Sequence, residues 1–341
     1  MTVSLKNNAV RAEQVMRASA YFSVGTEVSR AVTETPLKLL KREACPVCRF
    51  TDTRVIYQRM FAEDPVREYL CRWYRGKPPI ARFGDSEYVV MECPSCGLLF
   101  QRDVLDDEGL ALLYGSWINP EASAQRNPLR ARREGLAIAR RVHALGSFLD
   151  KQDGPATVVE LGCGWGNWLL MARAFGYAAR GIEIDDRRRE FVVAQGIPCY
   201  RTPGELADAS VDFIYAQQVF EHLRDPLDVL RSLTRSLRPG GYVHIAVPNA
   251  RWVKRNLEKG QFVGPKGIRH SLNPIAPLEH VNAFAGESLK RMGEACGLSV
   301  YRRQSAFLPA RTLCDYIETI PRFLYGIVHG HAATSILFRK E

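Results

Sequence analysis

From residue 157 onward the spacing of apolar and polar positions switches repeatedly between two periods. "TVVELG" (157–162) is a short apolar run rich in β-branched residues, the pattern of a strand buried on both faces. "NWLLMARAFG" (167–176) and "RRREFVVAQG" (187–196) read as helices, each closed by a glycine. "AARGIEID" (178–185), "IPCYR" (197–201) and "VDFIYAQQ" (211–218) read as strands. "DPLDVLRSLTRSLRPGG" (225–241) predicts a helix with proline near its start and Pro-Gly-Gly beyond its end. "YVHIAVPN" (242–249) is a fifth strand, "GESLKRMGEACG" (286–297) a helix, and "LSVYRRQ" and "TSILFRK" two final strands. Such alternation predicts an α/β fold, with a parallel sheet covered by helices on both faces.

The first half lacks this rhythm. Residues 1–40 read as helical or loosely ordered. "RGKPPIARFGDS" (75–86) is a loop by its Pro and Gly content, and "DDEGLALLYGSW" (106–117) a short helix. "NPLRARREGLAIARRVHALGSFLD" (127–150) predicts a connecting helix, broken by "KQDGPA". The chain therefore divides into an N-terminal segment (1–40), a small module (41–120), a connector (121–150) and an α/β domain (151–341). That last domain carries a long loop at 248–283.

A chain of 341 residues can hold one large domain and a small one. No run approaches 18 apolar residues, and the N-terminus lacks the apolar stretch and cleavage site of a signal peptide, so we expect a cytoplasmic protein without a membrane span. The net charge of +10 is uneven: residues 248–341 carry 14 basic and 7 acidic side chains, whereas residues 1–120 carry 16 and 15. The excess is dispersed through a folded segment, unlike a contiguous basic tail for nucleic acid.

"VVELGCGWGNW" (158–168) joins a strand to a helix through Gly162, Gly164 and Gly166. A dinucleotide turn needs glycine at 167, where Asn167 stands. Glu160, two residues before the first glycine, would repel a pyrophosphate and suit a ligand carrying an ammonium and a sulfonium, namely S-adenosylmethionine. Glu183, ending the next strand, can accept hydrogen bonds from both ribose hydroxyls of either cofactor.

The stretches "VVELGCGWG", "GIEID", "SVDFIYAQQVFEHLRDP" and "LRPGGYVHIAVPN" occur in the order found in class I S-adenosylmethionine-dependent methyltransferases, and residues 130–341 resemble that family. The resemblance implies a Rossmann-like seven-stranded sheet with a reversed last strand. It places Glu160, Gly162, Cys163, Gly164, Gly166, Glu183, Ile184, Thr202, Gln217 and Gln218 around the cofactor. Many members hold the adenine amino group with an acidic residue after the third strand. Here only Thr202 and Glu205 are near that position.

Cys45 with Cys48 and Cys93 with Cys96 form two C-x-x-C pairs among nine cysteines. Four thiolates make a closed tetrahedral zinc site, which leaves no open position and is structural. Cys71, Cys163, Cys199, Cys296 and Cys314 have no partner pattern and read as buried hydrophobes. The four-cysteine module ahead of the α/β domain resembles bacterial methyltransferases acting on sugars and secondary metabolites. It is most similar in layout to sugar C-methyltransferases, whose extra C-terminal domain is not in this sequence. O- and C-methylation both stay open.

Methyl transfer to a hydroxyl or carbon acid needs a base. "FEHLRDP" offers Glu221 and His222 just beyond the fourth strand, with His222 the first candidate because imidazole titrates near neutral pH. His280 in "PLEHVNAF" is the second, on the loop expected to overhang the acceptor, with Asn249 at the strand end. That loop carries Arg251, Lys254, Arg255, Lys259, Lys266 and Arg269 against Glu258, which suggests an anionic small-molecule acceptor such as a nucleotide sugar. Competing readings are an RNA or protein methyltransferase using the zinc module for binding, and a non-catalytic cofactor-binding scaffold. The near-neutral module is poor for phosphate binding, and the intact glycine turn speaks against a scaffold.

Overall fold

A computed structural model of the chain describes residues 36–77, 79–118, 128–149, 154–260, 272–303 and 334–341. The N-terminal reading of residues 1–35 and part of the basic loop lie outside them. Among the described residues, the elements before the connector are β1 (Leu39–Lys41), β2 (Arg54–Met60), α1 (Val66–Trp73), β3 (Glu87–Glu92), β4 (Leu99–Gln101), β5 (Asp103–Leu105) and α2 (Asp107–Leu112). The connector is α3 (Pro128–Leu149). It is followed by β6 (Thr157–Leu161), α4 (Asn167–Ala174), β7 (Ala178–Ile182), α5 (Asp186–Ala194), β8 (Cys199–Tyr200), β9 (Val211–Gln217), α6 (Pro226–Ser236) and β10 (Leu237–Val247). The chain continues through α7 (Val253–Glu258), β11 (Asn282–Ala283), α8 (Gly286–Glu294), β12 (Leu298–Arg303) and β13 (Thr334–Lys340).

Seven strands form one sheet in the order β12-β13-β10-β9-β6-β7-β8. β6 runs parallel to β7 and β9, and β9 to β10, while β13 is antiparallel to both β10 and β12. This is the α/β, Rossmann-like seven-stranded sheet with a reversed last strand that the sequence implies. β6 is central and buried along its length except at Glu160, as a parallel strand covered on both faces must be. α6 buries Leu227, Leu230 and Leu233 at helical spacing, each contributing about 1.5–3 kcal/mol. Gly293 of α8 lies against Phe338 of β13 so closely that a Cβ there would stand 2.2 Å from the ring.

β11-β4-β3-β2 form a second, four-stranded sheet, and β1 pairs with β5. β11 joins this sheet from the segment between β10 and β12 of the large one, pairing Asn282 with Phe100. The two sheets share a core: Cys45, Val47, Leu98 and Phe100 lie in one cluster with Leu161, Phe220, Leu230 and Phe284.

Several boundaries differ from the sequence reading. Pro239-Gly240-Gly241 does not follow a helix end in free loop but belongs to β10, whose pairing with β9 starts at Leu237 and shifts register before Tyr242. A Cβ on Gly241 would meet the Arg238 carbonyl oxygen at 2.9 Å, so glycine permits the bulge. The expected helix over 106–117 is α-helical only to Leu112 and continues as a π-helical turn, Leu113–Trp117. β2 was hidden because its exposed edge position leaves no regular burial pattern. Two of the cysteines read as lone hydrophobes are neighbours: Cys163 Sγ lies 3.7 Å from Cys199 Sγ. Cys71 is exposed rather than buried, and Cys314 lies outside the described residues. Among the described residues no helix is long and apolar enough to cross a membrane.

Candidate active site

The turn after β6 is shaped by three glycines with left-handed backbone, each needed for a different reason. A Cβ on Gly162 (φ 66°) would meet Val219 at 2.8 Å, and one on Gly166 (φ 72°) would meet Val192 at 3.0 Å. At Gly164 (φ 54°) a side chain would enter open space, the room that a ligand needs. Gly166 starts α4 without any side-chain cap, so the helix presents its first N–H groups at the turn.

Glu183 is buried and its carboxylate spans the turn. It accepts from the Gly164 N–H at 2.8 Å and from the Asp185 N–H at 3.0 Å. Asp185 then caps α5 through the Arg188 N–H at 2.8 Å. Glu160 faces the same region, and its Oε2 is enclosed without a hydrogen-bond partner. Burial, with the neighbouring Glu183 adding, pushes the Glu160 carboxyl well above the usual carboxylate range. A carboxylate oxygen enclosed without a partner, beside an open glycine, is the environment that a cationic ligand satisfies.

The other expected cofactor residues have the following settings. Ile184 follows Glu183 and is 70% exposed, an unusual setting for isoleucine. The Cys163 sulfur is turned toward Cys199. Gln217 accepts from Arg141 Nη1 at 2.8 Å and from the Tyr215 hydroxyl. Gln218 adopts φ 57°, a sparsely populated conformation for a non-glycine residue that is common at functional sites. Near Thr202, the Glu205 carboxylate turns back to accept from the Arg201 and Thr202 N–H groups at 2.9 and 2.7 Å. Glu205 is therefore occupied locally.

Beyond β9, a single helical turn (Phe220–His222) presents Glu221 and His222. Val219, which touches the position of Gly162, ties this turn to the glycine loop. His280 reaches the same place from the opposite side, its ring T-shaped to that of His222 with centroids 4.6 Å apart. The two base candidates from distant parts of the sequence thus form one cluster. Glu221 is fully buried, and neither carboxylate oxygen has a hydrogen-bond partner. Burial raises its carboxyl to about 8, with Glu279 adding to the shift. His222 Nδ1 lies 3.0 Å from the Glu279 carbonyl oxygen and 3.1 Å from the Tyr114 hydroxyl.

Four residues that the sequence reading passed over, three of them in the first half, position this cluster. Tyr114, on the π-helical turn, touches His222. Arg42 donates to the carbonyls of Gln101 and Val281 and, at 2.8 Å, to Asn282 Oδ1. Asn282 in turn donates to the carbonyls of Phe220 and Leu223, holding the Glu221–His222 turn from below. Burial lowers the Arg42 guanidinium to about 9, with Asp225 opposing, so it stays charged at neutral pH. Gln101 donates to the carbonyls of Ala276 and His280. A π turn within a helix is the one local irregularity that points to Tyr114.

The basic loop is partly satisfied within the protein. Lys254 pairs with Glu92 at 3.1 Å, and Arg251 and Arg255 lie over Trp252. Asn249 accepts from the Arg251 N–H at 2.8 Å, a local turn contact. Lys266 and Arg269 lie outside the described residues.

The four cysteines of the two C-x-x-C pairs converge, with all sulfurs within 4.8 Å of one another. Cys45 and Cys96 are 3.6 Å apart, Cys48 and Cys93 3.4 Å. A tetrahedron with metal–sulfur bonds of about 2.3 Å has edges near 3.8 Å, so this donor set fits zinc.

The glycine turn lies within the segment that known methyltransferases match. Residues 129–302 match the family model described as a methyltransferase domain. The chain is 31% identical over 182 residues to dimethylglycine N-methyltransferase of Parasynechococcus marenigrum, covering 49% of this chain and 60% of that protein. It is 36% identical over 104 residues to trans-aconitate 2-methyltransferase of Azoarcus sp., covering 28% of this chain and 40% of that protein. The chain thus spans under two thirds of either relative. Among solved structures, an S-adenosylmethionine-dependent methyltransferase from Mesorhizobium loti aligns at 15% identity, with a TM-score of 0.44 over 60% of this chain and 98% of that one. The match of the family model to half of the sequence, over the segment that carries the glycine turn, makes this chain a member of the methyltransferase domain family.

Proposed function

We propose that the protein transfers the methyl group of S-adenosylmethionine to a small-molecule acceptor, and that a structural zinc ion held by Cys45, Cys48, Cys93 and Cys96 braces the acceptor side. The observation that carries this reading is that Glu160, with its Oε2 enclosed and unpartnered, stands near Glu183, which is fixed across an open glycine turn. Glu183 would accept from the ribose hydroxyls, and Glu160 would neutralise the ammonium of the methionine part. Gln217 and Gln218 would line that part from the end of β9. S-adenosylmethionine supplies a methyl group already activated on a sulfonium, so the protein's task is to orient the acceptor and dispose of its proton.

Glu221, His222 and His280 are the groups that would meet the acceptor. The two named relatives act, by name, on dimethylglycine and trans-aconitate, which supports a small acceptor. The basic residues of 248–283 support an anionic one, such as a saccharide phosphate or nucleotide sugar, although Lys254 is already paired. O- and C-methylation are both compatible with this cluster.

The test is to incubate the protein with S-adenosylmethionine and panels of carboxylates, methylated amines and nucleotide sugars, and to measure S-adenosylhomocysteine. Release that depends on one panel supports the reading. Failure to bind S-adenosylmethionine at all refutes it.

A further inference from the structure

Glu221, His222 and His280 each offer a ligand atom, and these atoms lie within 4.8 Å of one another. We propose that they hold a divalent transition-metal cation, distinct from the four-cysteine site, at the place where the acceptor binds. That location rests on the methyl-transfer reading; the cation site itself does not.

Three observations carry the proposal. First, Glu221 is fully buried and both of its carboxylate oxygens lack a hydrogen-bond partner. A buried carboxylate in a native protein is normally paired or bound to a metal. Second, both imidazoles have the tautomer of metal ligands. His222 Nδ1 lies 3.0 Å from the Glu279 carbonyl, and His280 Nδ1 contacts the Asn273 carbonyl. A carbonyl only accepts, so each Nδ1 carries the proton and each lone pair sits on Nε2. Donation of the second ring N–H to a carbonyl is the usual support behind a histidine ligand. Third, His222 Nε2 already stands 3.9 Å from Glu221 Oε1. Ligand bonds of about 2.0–2.2 Å place neighbouring donors of a tetrahedron roughly 3.3–3.6 Å apart, so this pair need close by only about 0.5 Å.

Two imidazoles and one carboxylate favour zinc, nickel, cobalt or iron(II) over magnesium or calcium, which prefer oxygen donors. Three protein ligands leave coordination positions open. The His222 side chain is 20% exposed and that of Glu221 is not, so the opening lies on the His222 side. An oxygen of an anionic acceptor fits an open position there. That interaction would orient the acceptor without requiring a long-range contact from the basic loop.

The probe is cobalt(II), added to protein whose four-cysteine site has been filled with zinc. We expect one cobalt per chain with visible bands of a nitrogen–oxygen environment and no near-ultraviolet thiolate band. Glu221→Gln and His280→Ala should each weaken cobalt binding at least tenfold, while calorimetric affinity for S-adenosylhomocysteine stays within a few-fold of wild type. No cobalt uptake by the zinc-filled wild type overturns the proposal, as does a thiolate band or equal binding by folded variants. The wild-type spectrum decides the matter even if a variant does not fold. Loss of S-adenosylhomocysteine binding in the wild type would instead overturn the methyl-transfer reading and leave the cobalt result standing.

Discussion

Replacing Glu183 by alanine separates what this carboxylate does for the protein from what it does for a ligand. In the free protein it accepts two backbone hydrogen bonds, from Gly164 at 2.8 Å and Asp185 at 3.0 Å. Removing it leaves two N–H groups near a buried site without an acceptor, at about 1–3 kcal/mol each before water compensates. With cofactor bound, two ribose hydroxyls would add two charge-assisted bonds, on the order of 1.5–3 kcal/mol each. Water recovers part of that, leaving a net loss of roughly 3 kcal/mol, or about 100-fold in Kd. The assay is calorimetry with S-adenosylhomocysteine, which cannot react, alongside urea denaturation. An analogue lacking both ribose hydroxyls should bind wild type and variant with similar affinity. If the folded variant binds S-adenosylhomocysteine within threefold of wild type, Glu183 does not hold the ribose. If the analogue loses affinity to the same degree as S-adenosylhomocysteine, the effect comes from collapse of the turn.

Burial, with Glu183 adding, pushes the Glu160 carboxyl well above the usual carboxylate range, so a cationic ligand, which favours the ionised form, should release protons as it binds. Calorimetry in buffers of different ionisation enthalpy should detect this release in wild type and not in Glu160→Gln, and equal heats would contradict it. The sign for stability is the reverse of the usual salt-bridged carboxylate: Glu160's contribution falls as pH rises above about 4, because the unfolded chain ionises first. Denaturant midpoints of wild type and Glu160→Gln should therefore diverge with rising pH. Cys93→Ser should lower the Tm and the zinc content together while cofactor affinity changes little; retention of full zinc would show that the four sulfurs are not its ligands. His222→Ala should keep S-adenosylhomocysteine affinity and slow turnover by roughly 10²-fold or more, and unchanged turnover would remove His222 from acceptor activation. Gly293→Ala should cost about 1–3 kcal/mol by overpacking Phe338, and an unchanged denaturant midpoint would mean that α8 does not pack on β13 as described.

The sheet and the glycine turn were legible because central parallel strands are apolar along their length and α4, α5 and α8 are each followed by a glycine with positive φ, Gly176, Gly196 and Gly297. Both are local signals. β10 was misjudged at its start because Pro-Gly-Gly has the same local meaning after a helix as at a bulge, and only the pairing of Leu237 with Val211 decides between them. The cysteine pairs were legible from spacing alone, whereas Cys163, in the turn after β6, approaches Cys199 of β8 across β7, where Gly181 leaves room for both sulfurs, and this has no spacing signature. The same holds at the acceptor side. Glu221 and His222 are contiguous, but His280 joins them through pairing of β11 with β4. The supports Arg42, Gln101, Tyr114 and Asn282 act through contacts between residues up to 240 positions apart. Sequence periodicity carries no information at that range.

The central claim is methyl transfer to a small molecule, and methyl-labelled S-adenosylmethionine tests it most directly. The protein is incubated with the label and a whole-cell extract, and the products are divided by size into metabolites, nucleic acid and protein. The account predicts label in the low-molecular-weight fraction, dependent on Glu183 and His222, with an anionic product on ion exchange. Label confined to RNA or protein, or no transfer despite cofactor binding, would contradict it.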